Sequence, residues 1–457
     1  MSYFKGEIQT MEKLTASYIS KLCGGVLYGD DVQINSIVRD NREISGGELF
    51  VAIRGEKFDG HSFVQDAANR GASAVLVSEK NDVCDAARIV VEDTVRALGD
   101  IASGYLKTLE LLRVCITGSV GKTTTKEMCA AVLAEKYKTH KTQGNFNNNI
   151  GLPLTVFGLD KSHEAAVFEI GTNHFGEILP LARIAAPHIA LITTIGESHL
   201  EAFGTKEGVL REKTEIFNGL VDGGVAVLNG DDPLLWGLRD SLKHKVLWFG
   251  LQNEECDVFG EIISANAYEA VFEVRGSDVT FRLSCGGEHN VRDALSAIAV
   301  GRAAEMTDEE IARGLSRFEN TGMRQDIYSH NGITVIRDCY NANPDSMRAS
   351  LAFLRDFETD GTRFAVLGDM RELGGNAEAL HVDTGRFAGE CADCVLTTGE
   401  FSSAYMRGSE KVLVFEDKIE LSEYLGLNAK NGDVVLVKGS YGTKMWEVLE
   451  LMKWERK

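Results

Sequence analysis

The run Val114 to Thr125, V-C-I-T-G-S-V-G-K-T-T-T, constrains this chain more than any other stretch. Apolar residues from Leu109 to Ile116 predict a buried strand that ends at a glycine-rich turn. Lys122 and Thr123 follow, and a helical pattern runs from Thr124 to Lys136. Strand, glycine turn and helix in that order are the layout of a phosphate loop. Its backbone N–H groups and helix N-terminus cradle phosphate oxygens, its lysine neutralises them and its hydroxyl ligates Mg2+. Gly118 and Gly121 let the backbone approach the phosphates, and Ser119, Val120 and Thr124 complete the cradle. The glycine spacing is shorter than in G-x-x-x-x-G-K-[ST], because Ile116 stands where that pattern has glycine. A βα turn without nucleotide is the plainer alternative, but Lys-Thr directly at the helix start points to a nucleotide site.

A chain of 457 residues with 44% hydrophobic content and only 5 prolines suggests about three packed domains rather than long disordered linkers. The net charge of −20 argues against a nucleic-acid or anionic-membrane binder, which needs a basic face. The first 15 residues lack the apolar core of a signal peptide, and no apolar run approaches the ~20 residues of a membrane span. The expectation is a soluble, cytoplasmic protein. Nine scattered cysteines fit reduced thiols, and Cys391-Ala-Asp-Cys394, the one C-x-x-C, reads as two thiols at a helix-to-strand junction.

Before the phosphate loop, a helical start at Thr15 to Leu22 precedes short strands at 49–53 and 74–77, and a helix is predicted from about Asp85 to Leu106. Asp40-Asn-Arg42 and the glycine-bounded loop 55–61 fit ordinary polar turns on their own. After the loop, Gly144 to Pro153 carries Asn145, Asn147, Asn148 and Asn149. Such a run serves equally as a capping cluster or as a ligand loop. Glu169 ends an apolar strand opposite the phosphate loop, where a carboxylate is a candidate Mg2+ ligand. His199 follows the strand 189–195 and is either a loop histidine or a ligand at a strand end. Lys213 lies on a helical stretch, by default a solvated position. Asn290 reads as the N-cap of the next helix or as a contact to a base.

From about 323 the α/β alternation restarts. Strands are expected near 334–337, 364–368, 395–398, 412–415 and 434–438, with helices at 346–355 and 377–391. Polar clusters follow three of these strands, at Asp338 to Pro344, Gly368 to Gly374, and Lys438 to Ser440. Doubly wound sheets bind ligands at such strand ends, so a second half-site facing the first is expected, with closure over two substrates.

The run T-G-S-V-G-K-T-T, the later E-I-G-T-N-H-F-G-E-I and the H-N-V-x-D-A-L helix resemble the Mur ligases, ATP-dependent amide-forming enzymes of peptidoglycan synthesis. N-A-N-P at 341–344, G-D-M-R-E-L-G at 368–374 with His381, and Lys438-Gly-Ser440 resemble the members that add D-alanyl-D-alanine to UDP-N-acetylmuramoyl-tripeptide. The resemblance spans essentially the whole chain. It implies an α/β fold in three domains: a small uridine-nucleotide domain over residues 1–107, a central P-loop domain over 108–322, and a Rossmann-like domain over 323–457.

It further implies that Lys122 and Thr123 hold ATP phosphates and Mg2+, at two metal sites, and that Glu169 and His199 bind metal. Lys213 would be carbamoylated by CO2, which turns an ammonium that Mg2+ would repel into an anionic oxygen ligand. Asn290 would lie near adenine, Arg324 near the phosphates in a hinge, and Asp338 near the ribose. Substrate contacts would come from Asp40, Arg42, Asn145, Asn148, Asn341, Asn343, Asp369 and Glu372. Lys122, Lys213 and His199 would be catalytic, in a monomer. Three positions depart from the family pattern: Asn41 replaces Ser, Asp293 replaces Asn, and Tyr441 replaces Arg. Two other readings stay open. One is a Mur ligase adding another amino acid, although diamino-acid-adding members carry D-Y-A-H-x-P where N-A-N-P stands. The other is a P-loop ATPase switch without ligase activity.

Overall fold

The computed structural model describes residues 11–55, 58–79, 85–320 and 322–456. The stretch 1–10, part of the segment read for a leader, and Glu56 and Lys57 of the glycine-bounded loop lie outside the described residues. Besides a two-stranded pair of Leu14–Thr15 with Gln33–Ile34, three larger sheets follow one another along the chain among the described residues.

The first sheet has five strands between Val26 and Val90, mostly parallel. One expectation fails here. The segment predicted as a single helix from Asp85 begins with the strand Ala87–Val90, which pairs in parallel with Ala74–Val77, and the helix spans only Thr94–Leu106. Alternating burial of Ala87 and Ile89 is the two-residue period of a strand. Asp93 then starts the helix by accepting from the N–H groups of Val95 and Arg96. That helix joins the first sheet to the second. Its Tyr105 hydroxyl donates to Leu159 O at 2.7 Å and accepts from Glu12 N at 2.9 Å.

The second sheet has nine strands between Leu112 and Leu283, seven of them parallel and the last hairpin strands antiparallel. Its phosphate-loop strand, Leu112–Thr117, lies between Ala165–Glu169 and Ile189–Ile192. The connection from this strand leaves to one side and the chain returns to the other. It is therefore a topological switch point, where open sheets bind ligands beyond the strand ends. The strands here are buried on both faces by the helices Lys122–Leu133 and Glu288–Ala303 on one side and Thr94–Leu106 and Ile178–Ala185 on the other.

The third sheet, with strands at Asp326–His330, Ile333–Asp338, Arg363–Leu367, Cys394–Thr397, Val412–Val414 and Val434–Lys438, is parallel except at its first strand. Val434–Lys438 is inserted between Ile333–Asp338 and Arg363–Leu367. That brings Asp338, Gly368 and Lys438 to one edge, as the strand-end clusters predict. The described cysteines are free thiols, Cys391 closing a helix and Cys394 opening a strand. No helix among the described residues is long and apolar enough to cross a membrane.

Candidate active site between the phosphate loop and the C-terminal sheet

The phosphate loop adopts the geometry its glycines demand. Gly118 has φ +153° and Gly121 φ +83°, and a Cβ on Gly118 would lie 1.8 Å from Thr193 Oγ1. A Cβ on Gly121 would lie 2.6 Å from Asp293 Oδ1, so neither position accepts a side chain. The helix begins at Lys122 with its first N–H groups free of any capping side chain, which leaves them available to an anion. Lys122 Nζ donates to Gly118 O at 2.7 Å and so sits over the turn. Burial lowers its pKa, with Arg324 adding to that and Glu169 opposing it.

Thr123 Oγ1 donates to Glu169 Oε2 at 2.8 Å, while Asn147 Nδ2 donates to Glu169 Oε1 at 2.9 Å. A hydroxyl and a carboxylate oxygen, side by side at the phosphate cradle, are hard donors suited to Mg2+. His199 lies across the same cavity in the left-handed region at φ +53°. Its Nδ1 is 2.5 Å from Glu372 Oε2 of the third domain, and Glu372 is itself at φ +65°. Two residues held at uncommon backbone angles thus meet across the domain boundary. Among the described residues no three of His, Cys, Asp and Glu cluster tightly enough to hold a metal ion. A cation here needs further oxygens, from phosphates or from a modified side chain.

Lys213 is the residue whose environment departs furthest from its expected default. Rather than solvated, its side chain is only 1% exposed on the helix Lys206–Thr214. It forms no hydrogen bond or ion pair with any described residue. Burial, reinforced by Lys122, holds its pKa well below the ordinary lysine value, and Glu212 offsets this only in part. Glu212 itself turns away, accepting from the N–H groups of Gly176, Glu177 and Ile178 at 2.8–3.0 Å. The helix is pinned by that capping, and Lys213 is left an unpaired amine.

The C-terminal wall carries Asp338, Tyr340, Asn341, Asn343, Glu372, Lys438 and Tyr441. Asp338 Oδ2 accepts from Lys438 Nζ at 2.7 Å and from Ser350 Oγ at 2.6 Å. Burial alone would raise its pKa, but Lys438 and Ser350 outweigh that and the carboxyl is held low. Arg324 stacks over Tyr340 at 4.0 Å from the ring centroid. Asn343 caps the helix Pro344–Arg355 and reaches Ser119 O at 3.4 Å, so one residue both starts a helix and touches the phosphate loop. Together these residues surround a cavity of about 1680 Å³.

The remaining expected site residues divide. Ser119, Val120, Thr124, Asn145 and Asn148 line the cavity, and Asn148 Oδ1 also accepts from the N–H groups of Ile150 and Gly151 just before the helix Gly151–Val156. Asn290 lines it too, but as a correction it is not the N-cap. Gly287 holds that position, and Asn290, inside the first turn, donates to Gln325 Oε1 and Gly286 O, both at 2.7 Å. The left-handed glycine φ of +100° ends the loop more sharply than an asparagine cap would. Asp369 faces away from the cavity and accepts from the N–H groups of Glu400 and Phe401. Asp40 and Arg42 lie in the first domain, bonded to each other at 2.6–3.1 Å, outside this cavity.

Sequence reasoning passed over Asn147 as an individual residue, although it sits in the asparagine run and bonds Glu169. It also passed over Thr193, which fills the space Gly118 leaves and donates to Val120 O at 2.5 Å. Nothing local to Thr193 signals that role. Asp293 lies against Gly121, and burial pushes its carboxyl up to about 7 despite Arg292 and Arg324.

Three family signatures match in order: the Mur ligase family catalytic domain at residues 33–106, the Mur ligase middle domain at 116–301, and the Mur ligase glutamate ligase domain at 317–441. The chain is similar to the UDP-N-acetylmuramoyl-tripeptide–D-alanyl-D-alanine ligase of Bacillus subtilis, 38% identical over 96% of this chain and 98% of that protein. It is 34% identical to the enzyme of that name from Escherichia coli, over 97% and 99%. Among solved structures it superimposes on MurF from Acinetobacter baumannii with a TM-score of 0.91 at 33% identity, covering 97% of this chain and 99% of that one. For the MurF ligase of Thermotoga maritima in complex with ADP the TM-score is 0.83 at 31% identity, over 92% and 97%. End-to-end alignment of that kind, on a phosphate loop facing a doubly wound C-terminal sheet, places the chain in the Mur ligase family.

Proposed function

We propose that this protein is an ATP-dependent ligase that joins the terminal carboxylate of UDP-N-acetylmuramoyl-tripeptide to the amine of D-alanyl-D-alanine, in cytoplasmic peptidoglycan precursor synthesis. The observation that carries this reading is the shared cavity. Phosphate loop, Glu169 and His199 face the strand ends of the third sheet across one space, in a chain similar end to end to ligases of that name. On this reading the domains are 1–107, 108–322 and 323–457. Asp40 and Arg42 serve the uridine nucleotide of the first domain. Asn145, Asn148, Asn341, Asn343, Asp369 and Glu372 shape the acceptor side, Asp369 by holding its loop.

A carboxylate is a poor electrophile, and coupling to phosphoryl transfer removes that obstacle. ATP supplies the phosphoryl group that makes the tripeptide carboxylate an acyl phosphate; Thr123, Glu169 and His199 would hold Mg2+, which would neutralise developing charge. The chain's residues then position and exclude. Lys122 leaves Gly118 O for the phosphate oxygens, and the loop N–H groups fix their orientation. Glu372 orients the His199 ring, and Arg324 adds charge from the hinge. Burial holds the pKa of Lys213 well below the ordinary lysine value; on this reading its amine, once deprotonated, would add to CO2 and release a proton, giving a carbamate that would supply an anionic oxygen ligand. The dipeptide amine attacks the acyl carbon, phosphate departs, and the amine gives up its proton as the amide forms.

The test is phosphate release by purified protein with ATP, Mg2+ and UDP-N-acetylmuramoyl-tripeptide, with and without D-alanyl-D-alanine. Release that requires both, with a product heavier by one dipeptide, is the expected result. Release independent of either substrate would show an ATPase instead, and turnover only with another amine would move the protein to a neighbouring ligase.

A further inference from the structure

We infer that Asp345 is a positioning residue that latches the third domain onto the phosphate loop and so makes turnover wait for closure. Asp345 stands in the first turn of the helix Pro344–Arg355, whose N-cap is Asn343. Its Oδ2 accepts from Glu197 N at 2.7 Å, across the boundary between the second and third sheets. The same oxygen would lie 2.1 Å from a Cβ on Gly196, so the carboxylate fills a space that only glycine leaves. Gly196 does not have a left-handed φ, so its backbone does not itself require glycine; the neighbour does.

What the latch grips is the loop that bears the site. Gly196 N donates to Ser119 Oγ at 2.8 Å, and Ser198 Oγ is 2.9 Å from that same hydroxyl. Ser119 belongs to the phosphate loop, and three residues past Gly196 stands His199. Asn343 Nδ2 meets Ser119 O beside it, and Glu372 holds His199 from the same domain. Moving the third domain away breaks the Asp345, Asn343 and Glu372 contacts together. Of these only Asp345 puts an oxygen where a packed loop excludes a methyl group. Return of the third domain after such a movement draws the loop carrying His199 into place.

This inference rests on the ligase reading, but one of its readouts does not depend on the acceptor. Asp345→Ala is expected to lower kcat about 100-fold, the cost of a small misplacement at a reacting centre. ATP affinity measured without the other substrates stays at the wild-type value. Asp345→Asn, which keeps a carbonyl acceptor for Glu197 N, recovers most of the rate. Gly196→Ala reproduces the Asp345→Ala loss, and the double variant is no worse than the poorer single one. In small-angle scattering, wild type contracts when a non-hydrolysable ATP analogue and the UDP-tripeptide are added, and Asp345→Ala does not. Wild-type kcat in Asp345→Ala, additive losses in the double variant, or full contraction of Asp345→Ala would each overturn the latch. Contraction of wild type without turnover on D-alanyl-D-alanine would instead overturn the proposed acceptor and leave the latch standing.

Discussion

Lys213 in the second domain and Lys438 in the third are removed from solvent to nearly the same degree, 1% and 2% exposed, yet they are solvated by the protein in opposite ways. Lys438 ends a central strand and donates to Asp338 Oδ2 at 2.7 Å and Asn341 O at 3.1 Å. Among the described residues the Lys213 side chain has no such partner, and the carboxylate beside it, Glu212, is consumed by three backbone N–H groups. Burying a charge is costly unless it is paired, so Lys438 is held by its carboxylate partner, whereas burial without one lowers the pKa of Lys213. The difference separates a residue that holds a wall together from one poised for chemistry, at equal burial.

The sharpest break of that comparison is in activity. Lys213→Ala should lower phosphate release about 10³-fold, with partial recovery in millimolar short-chain carboxylates that supply the missing anionic oxygen. Wild-type turnover without them would remove the carbamate role. Next in size is stability. Lys438→Met leaves the Asp338 carboxylate with Ser350 but without its cation and should cost about 3 kcal/mol in urea unfolding.

Asp293 extends the comparison to a carboxyl group. Its pKa is raised from 3.8 to about 7, so the folded state keeps a proton that the unfolded state gives up. Any stability difference is absent below pH 4, grows as pH rises toward 7, and is constant above. Asp293→Asn should therefore add about 2 kcal/mol at pH 8, half of what the full shift would correspond to because the side chain keeps some solvent, and nothing near pH 4. A gain equal at both pH values would place the effect in packing. The smallest effect belongs to Lys213→Met. Methionine removes the cost of burying an amine without a hydrogen-bonding partner, so stability should rise by about 1 kcal/mol while activity is lost. A loss of stability there would mean that Lys213 has a partner.

Much of the fold is legible in the residues themselves. The phosphate loop declares itself because glycine angles and a Lys-Thr helix start are local properties, and so do the strand-end clusters at 338–344 and 368–374. The helix predicted from Asp85 shows the limit. Four residues, Ala87 to Val90, fit a helical start until a neighbouring strand offers its edge. Asn343 shows it again, since it turns out to cap a helix as well as line the cavity, a double use that no spacing reveals.

Sequence by itself determined the nucleotide loop, the three successive α/β segments and the family. These rest on short-range geometry and on motifs whose order survives in one dimension. Tertiary structure alone decided which lysine lacks a partner, that Asp293 is buried against Gly121, and that Asp345 reaches Glu197 across two domains. Burial and ion pairing depend on groups far away along the chain, or on their absence, and Coulomb and desolvation energies respond to distance in space.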